Sequence, residues 1–190
     1  MQADVVKLAV DLLVREPDIE GFFGGLTRTM VEESESYVCA LWLLDEQEQR
    51  CRLWMAYVGD RLYVPEAGTL APCADGRPED DFPKESLAAH LYGYAPGWTG
   101  TVEYVPDDPR LPEPIHEFRR RVGCTHIVAT PLMLGTRTLG WMTVGQIGAP
   151  EPDHQWWRII LIEAIARQAA LALHYSRVVE HSRLEERRKA

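Results

Sequence analysis

Two pairs of apolar runs constrain this chain more than any other feature. The first pair, Tyr37 to Leu44 and Cys51 to Val58, is joined by the polar turn Asp45 to Arg50. The second, Thr125 to Leu134 and Thr138 to Gln146, is joined through Gly135, Thr136 and Arg137. Runs of this kind, bounded by turn residues, read as β-hairpins. Successive side chains of a strand point to opposite faces, and here both faces are apolar: Val38, Ala40, Trp42 and Leu44 on one, Cys39, Leu41 and Leu43 on the other. A sheet built from such strands must be covered on both sides, so the rest of the chain has to supply two layers.

Helical spacing supplies one of them. Residues 2 to 14 carry Val5, Leu8, Ala9, Leu12 and Leu13 at helical intervals until Glu16 and Pro17 interrupt the pattern. Asp18 is placed to cap a second helix, with Ile19, Phe22, Phe23, Leu26 and Met30 on one stripe. Pro152 to Lys189 has no internal Pro or Gly and as one helix would run about 57 Å, whereas a domain of this size is about 30 Å across. Its apolar first half is expected to pack on the sheet. Its end, with eight charged residues among the fifteen from Ser176 to Ala190, is expected to project. Ala166, Ala169, Leu173 and, further on, Leu184 form a seam that predicts a homodimer through close helix approach. The expected division is an N-terminal helix over 1–17, a domain over 18–175 and a projecting helix over 176–190.

The other layer must come from Gly59 to Val102, which is far longer than a plain connection of about 4–6 residues. It holds Pro65, Pro72, Pro78, Pro83 and Pro96, but also Tyr63, Phe82, Tyr92, Tyr94 and Trp98. Aromatic side chains in so long an insertion predict a cap over the sheet. A short strand near Thr101 to Val105 and a helix from about Pro112 to Val122 lead into the second hairpin.

Composition excludes several functions. The chain has 190 residues and a net charge of −9, which disfavours a phosphate-neutralising surface and hence nucleic acid. Cys39, Cys51, Cys73 and Cys124 form no CxxC pair, so a zinc ribbon is excluded; free thiols in a reducing cytoplasm are the expectation. The first residues do not have the make-up of a signal peptide. The longest uncharged stretch, Val122 to Thr136, is too short for a bilayer span of about 20 residues, so no membrane contact is expected. There is no Gly-Lys pair for a phosphate loop and no serine in a nucleophile elbow, so the chain is read as non-catalytic. Cys124 and His126, two apart, are expected on one face of a strand. They are too few for a structural metal site, which takes four ligands, so no metal is assigned. His174 and His181, two helical turns apart, do not share an ion. Arg119, Arg120 and Arg121 read as a solvated face or as contacts for an anion. Trp54, Trp98, Trp141, Trp156 and Trp157 are stacking surfaces for a flat ligand or core residues.

Three stretches resemble the GAF domain, the small-molecule sensor module of signalling proteins. They are the helix-to-strand passage Leu26 to Asp45, ending in Leu43-Leu44-Asp45; the segment Val105 to Arg110; and Val122 to Val144, with Gly123, Pro131, Leu132 and Gly140 at the family's spacing. The resemblance implies a three-layer α/β sandwich: a central antiparallel sheet of about six strands, the N- and C-terminal helices on one face and a variable cap over 59–122 on the other. It implies an unknown small-molecule ligand between sheet and cap, with Tyr57, Trp98, Tyr104, His116, Cys124, His126 and Trp141 as pocket candidates. The end of the chain, Leu184 to Lys189, resembles the helix that joins such modules to an output domain, as in bacterial sensor histidine kinases. A ligand-free dimerisation module and a haem or redox sensor, with His90, His116 or His126 as the haem ligand, are the alternatives. No cofactor is required by the sequence. The chain has no asparagine, which argues against the cyclic-nucleotide site of phosphodiesterase-type members. No stretch around Cys73 or Cys124 matches a bilin attachment site. Separated cysteines argue against the sulfoxide reductases of this fold.

Overall fold

A computed structural model describes residues 19–45, 50–64, 81–83, 100–110, 116, 119–120 and 123–189. Helix α1 (Ile19–Glu33) leads into β1 (Val38–Asp45) and β2 (Arg50–Val58). Three short strands follow, β3 (Arg61–Tyr63), β4 (Asp81–Pro83) and β5 (Val102–Tyr104). The second hairpin is β6 (His126–Leu134) and β7 (Arg137–Gln146), and helix α2 (Pro152–Lys189) ends the chain. Both expected hairpins are present. They join in one antiparallel sheet of order β3-β2-β1-β7-β6-β5, with β4 also on β2. Six strands stand in that order, as expected, and among the described residues the short β4 is a seventh, because β3 and β4 both pair along β2, at Ala56–Val58 and at Arg50–Arg52.

Strands β1 and β7 lie side by side at the centre, which brings α1 and α2 together on one face. Phe22, Phe23, Met30, Leu41, Met55, Leu132, Met142, Ile162 and Ile165 form the core there. Phe22 and Phe23 meet edge to face at 4.9 Å, and Phe23 lies 5.0 Å from Trp54. Helix α1 stops where Glu35 takes a left-handed conformation (φ 53°) and Ser36 N–H returns to Val31 O at 3.0 Å. Arg158 of α2 completes this end: its Nε donates to Ser34 O at 2.7 Å, placing a buried cation at the negative end of the helix dipole. Burial lowers the Arg158 pKa.

The register corrects one pocket assignment. Pairing shifts between Leu41↔Met55 and Trp42↔Leu53, so Trp54 is a bulge residue. The bulge turns Trp54 and Met55 to the same side, and Tyr57 follows them into the helix-face core. Tyr57 therefore does not face the cap. Pro131 sits where the sequence requires, opposite Trp141 on β7 and beyond the last β5 pair, Val102↔Ala129, where no ladder donor is needed. At Gly140 a Cβ would collide with the Trp42 carbonyl, so β1 and β7 approach as closely as they do only over glycine.

The dimer seam is also corrected. Ala166, Ala169 and Leu173 are core residues of this chain, because small side chains let α2 lie close against the sheet and α1. The outward apolar residues of this helix include Trp156 near its start and Leu171, Tyr175 and Val178, the last three spaced four and three apart and hence on one stripe. Leu184 is exposed but lies well off that stripe. Beyond Val179 every described residue of α2 is exposed. One window of α2, with a mean hydropathy of 1.2, is long and apolar enough to cross a membrane, but Leu161, Ile162, Ile165, Ala169 and Leu173 within the helix are committed to the core. The N-terminal helix over 1–17 and most of the cap over 59–122 lie outside the described residues.

Candidate functional site

On the face opposite the helices, the register arranges side chains in rows that run across the strands. One row is bulky: Leu53, Trp42, Trp141 and Pro131, on β2, β1, β7 and β6. The next is small: Ala56, Ala40, Thr143 and Ala129 on the same four strands, ended by Tyr63 on β3 and Val102 on β5. The third is Val58, Val38, Gly145 and Ile127, ended by Tyr104. The middle row is thus a trough in the side-chain profile, between two indoles on one side and β-branched side chains on the other, and it is itself buried, Ala40 and Ala56 completely. Four strands at about 4.8 Å spacing make that row about 14 Å long.

The trough carries few polar groups. Trp42 Nε1 donates to Thr143 Oγ1 at 3.0 Å, from the wall to the floor. Trp141 is 1% exposed, and among the described residues its Nε1 is the buried side-chain donor with no partner. Such a group costs about 1–3 kcal/mol. No charged residue stands in these rows on the four central strands. At the edges, Arg61 on β3 is exposed, and the Arg110 guanidinium lies 5.0 Å over the Tyr104 ring. Burial pushes the Tyr104 hydroxyl well above the ordinary phenol range.

A second polar cluster borders the trough at Val105 to Arg110. Asp108, 3% exposed, accepts from Arg110 Nε at 2.8 Å and Nη2 at 2.7 Å, and from the Val105 and Arg110 backbone N–H groups. The Arg110 hydrogen bonds hold the Asp108 carboxyl down at a pKa of about 2. His116 Nε2 lies 2.9 Å from Asp108 O. Arg119, read as part of a solvated face or as an anion contact, is instead buried and donates to the Val105 and Thr125 carbonyls, tying the segment after β5 to the start of β6. Arg120 alone of the run is described as exposed; Arg121 lies outside the described residues.

The remaining candidates separate. Cys124 precedes β6 and packs on the trough face, where Gly145 leaves it room: a Cβ there would lie 2.9 Å from that of Cys124. Burial raises its thiol to about 11, Arg119 opposing. His126 opens the regular alternation of β6 and shares parity with Val128, on the helix face; its Nδ1 lies 3.1 Å from Thr125 Oγ1. Cys124 and His126 therefore do not share a face, because the chain is not yet a strand at Cys124. Tyr104 and Trp141 are buried in the core of this face, His116 borders it through Asp108, and Trp98, His90 and Cys73 lie outside the described residues. Trp54 stacks in the helix-face core, and Trp156 is 71% exposed. Among the described residues no three of His, Cys, Asp and Glu gather as metal ligands. A cleft of about 90 Å³ lies between β6 and α2, with Thr101, Thr130, Glu163 and Arg167 among its lining residues.

Sequence reasoning missed the floor, Ala40, Ala56, Ala129 and Thr143. Alternation alone placed Ala40 beside Trp42, but the row emerges only from the pairing register.

No protein-family model matches the sequence, and no curated protein matches it. Solved structures do. The GAF domain of a phosphoenolpyruvate-protein phosphotransferase from Coxiella burnetii aligns with a TM-score of 0.64 at 10% identity, over 95% of this chain and 96% of that one. The phycocyanobilin-bound GAF domain of a cyanobacterial phytochrome aligns at 0.62 and 13%, over 95% and 98%. A segment of a methyl-accepting chemotaxis protein aligns at 0.59 and 14%, over 90% and 97%. With the sheet order and the helices on one face, these likenesses show that the chain has the fold of a GAF domain.

Proposed function

We infer that this chain is a non-catalytic sensory domain of a signalling protein, in which a small molecule held over the trough is reported through α2. The observation that carries the reading is a chain of hydrogen bonds from the border of the trough to that helix. Asp108 holds Arg110, and Arg110 Nη2 donates to Glu103 O at 2.7 Å. Glu103 Oε1 accepts from Gln155 Nε2, and Gln155 Oε1 accepts from Arg158 Nη1 at 3.0 Å. Arg158 then reaches the end of α1. Only one orientation of the Gln155 amide serves both neighbours. A ligand that favours one placement of the 105–119 segment would bias the first turns of α2, as coupled sites require. Several structural neighbours are signalling proteins by name, a phytochrome and a methyl-accepting chemotaxis protein among them, which supports the same reading.

In this proposal the domain works in the cytoplasm as a homodimer, through the stripe Leu171, Tyr175 and Val178 rather than the buried alanines. The output domain it serves is a histidine kinase or a comparable effector. A thermal-shift screen against a broad metabolite panel tests the sensor, since a ligand of the folded state raises the melting temperature by mass action. A hit should also slow hydrogen exchange at residues 103–110 and 152–158 together. A flat response favours a ligand-free dimerisation module. Sedimentation of a Leu171→Glu, Tyr175→Glu variant tests the dimer: a monomer is expected, and an unchanged dimer would place the interface elsewhere.

A further inference from the structure

We propose that the cleft between β6 and α2 binds a small zwitterion of the α-amino-acid type, with its carboxylate on Arg167 and its ammonium group on Glu163. The cleft opens on the helix side of the sheet, and none of its charged or hydroxyl groups belongs to the trough, so the proposal does not rest on the sensory reading. Local geometry builds the site. Gly100 holds a φ of 111°, and a Cβ there would lie 2.5 Å from Pro131 Cγ, so only glycine lets the chain press against Pro131 as it enters β5. The next residue, Thr101, is thereby set beside Thr130, and their hydroxyl oxygens meet at 3.0 Å. Pro131 and Met133 give the cleft an apolar side, and α2 crosses it with Glu163 and Arg167.

The charges select the ligand. Glu163 stands one helical turn before Arg167, the order that favours an ion pair on a helix, and Arg28 closes on Glu32 over the same spacing at 2.9 Å. Glu163 and Arg167 do not close: among the described residues neither has an ion-pair or hydrogen-bond partner. The cleft therefore presents an anion and a cation that are both unmet. A lone anion at Arg167 would face Glu163, and a lone cation at Glu163 would face Arg167, so repulsion by the second group cancels much of the attraction of the first. A molecule that carries both charges meets no such opposition. The guanidinium takes a carboxylate in a two-pronged fork, and an ammonium group donates to Glu163. Of the two threonine hydroxyls one donates to the other, which leaves one hydrogen for a ligand oxygen. The volume, about 90 Å³ against about 300–1,000 Å³ for the sites of drug-sized ligands, limits the ligand's side chain to a few carbons, which Pro131 and Met133 can contact. Thr101 and Thr130 lie at the edge of the sheet and Glu163 and Arg167 on α2, so a bound zwitterion would fasten that helix to the sheet.

The test titrates ¹⁵N-labelled protein with L-alanine and with propionate and ethylammonium, which carry one charge each. L-Alanine should move the backbone resonances of Thr101 and Thr130 and the Nε–H resonance of Arg167 along one saturation curve. The singly charged probes should bind at least about tenfold more weakly, the loss of one charge-assisted hydrogen bond. Arg167→Gln and Glu163→Gln, at positions that are at least partly exposed, should each weaken L-alanine by a similar factor. Glu163→Gln should also erase the preference for L-alanine over propionate, and Arg167→Gln the preference over ethylammonium, a reciprocal pattern that loss of structure would not produce. Thr130→Val should cost about fivefold, the worth of one neutral hydrogen bond. Equal binding of propionate or ethylammonium, full affinity for L-alanine in either glutamine variant, or Thr101 and Thr130 resonances that L-alanine does not move would overturn the proposal. That failure would leave the sensory reading standing, since its own test reads residues 103–110 and 152–158.

Discussion

The two faces of the sheet are made by the same strands and are equally apolar, yet they differ in volume. On the helix face Leu41, Met55, Leu132 and Met142 interdigitate with Phe22, Phe23, Met30 and the inner side of α2. On the other face the same strands present Ala40, Ala56 and Ala129 between two tryptophans and a row of Val and Ile. Both faces are buried core, and side-chain size, not hydropathy, separates them. The contrast predicts opposite mutational behaviour. Met142→Ala or Leu132→Ala should lose about 2–5 kcal/mol in urea unfolding, whereas Ala40→Leu should cost no more than about 1–3 kcal/mol and abolish ligand binding. Equal losses on the two faces would mean that the alanine row is packed as tightly as the helix-face core.

The borders of the faces differ too. Arg158 sits on carbonyls at the helix side, while Asp108 is held by Arg110 at the trough side. Because the folded Asp108 pKa is depressed from 3.8 to about 2, its contribution is present above pH 4 and lost as pH falls through 2. That contribution is about 2 kcal/mol. Asp108→Asn should remove it at neutral pH and flatten the acid limb of the stability profile. It should also raise hydrogen exchange at Gln155 and Arg158, and a Gln155→Ala background should cancel that remote effect.

Much of the first face was legible in the sequence, and little of the second. The apolar runs gave both hairpins, and the stripe of α1 gave Phe22, Phe23, Leu26 and Met30, because period and burial coincide there. Tyr57 was misplaced because one extra residue, Trp54, shifts the alternation, and nothing local marks a bulge. Ala166, Ala169 and Leu173 looked like a dimer seam because small residues favour close approach to any surface, and the sheet is the nearer one. Cys124 and His126 failed as a pair because the strand begins between them. The alanine row depends on four strands held in register, a property of pairing that no single strand carries.

Alkaline titration probes the trough face by a smaller effect. The Cys124 thiol is raised from 9.0 to about 11 by burial, so folding favours its neutral form. Stability should be full below pH 9 and decline as pH rises toward 11, by at most about 2 kcal/mol. Cys124→Ala should reduce that slope in urea titrations at pH 8 to 11 without abolishing it. Cys39, whose thiol burial raises still further, contributes over the same window and on to higher pH.

The smallest effect is also the sharpest comparison, since it is drawn between two residues of one face. Trp42 and Trp141 are paired across β1 and β7 and are both buried. Replacing either by Phe removes the same atoms and opens a similar gap. Trp42→Phe also breaks a satisfied hydrogen bond and strands Thr143 Oγ1, a further cost of about 1 kcal/mol or more. Trp141→Phe instead deletes a donor that has no acceptor, which relieves about 1–3 kcal/mol and offsets the lost packing. The ligand-free Trp141→Phe protein should therefore unfold within about 1 kcal/mol of the parent in urea, and Trp42→Phe clearly earlier. If the two variants lose equal stability, Trp141 Nε1 is already satisfied in the free protein, and the trough has no unmet donor to offer.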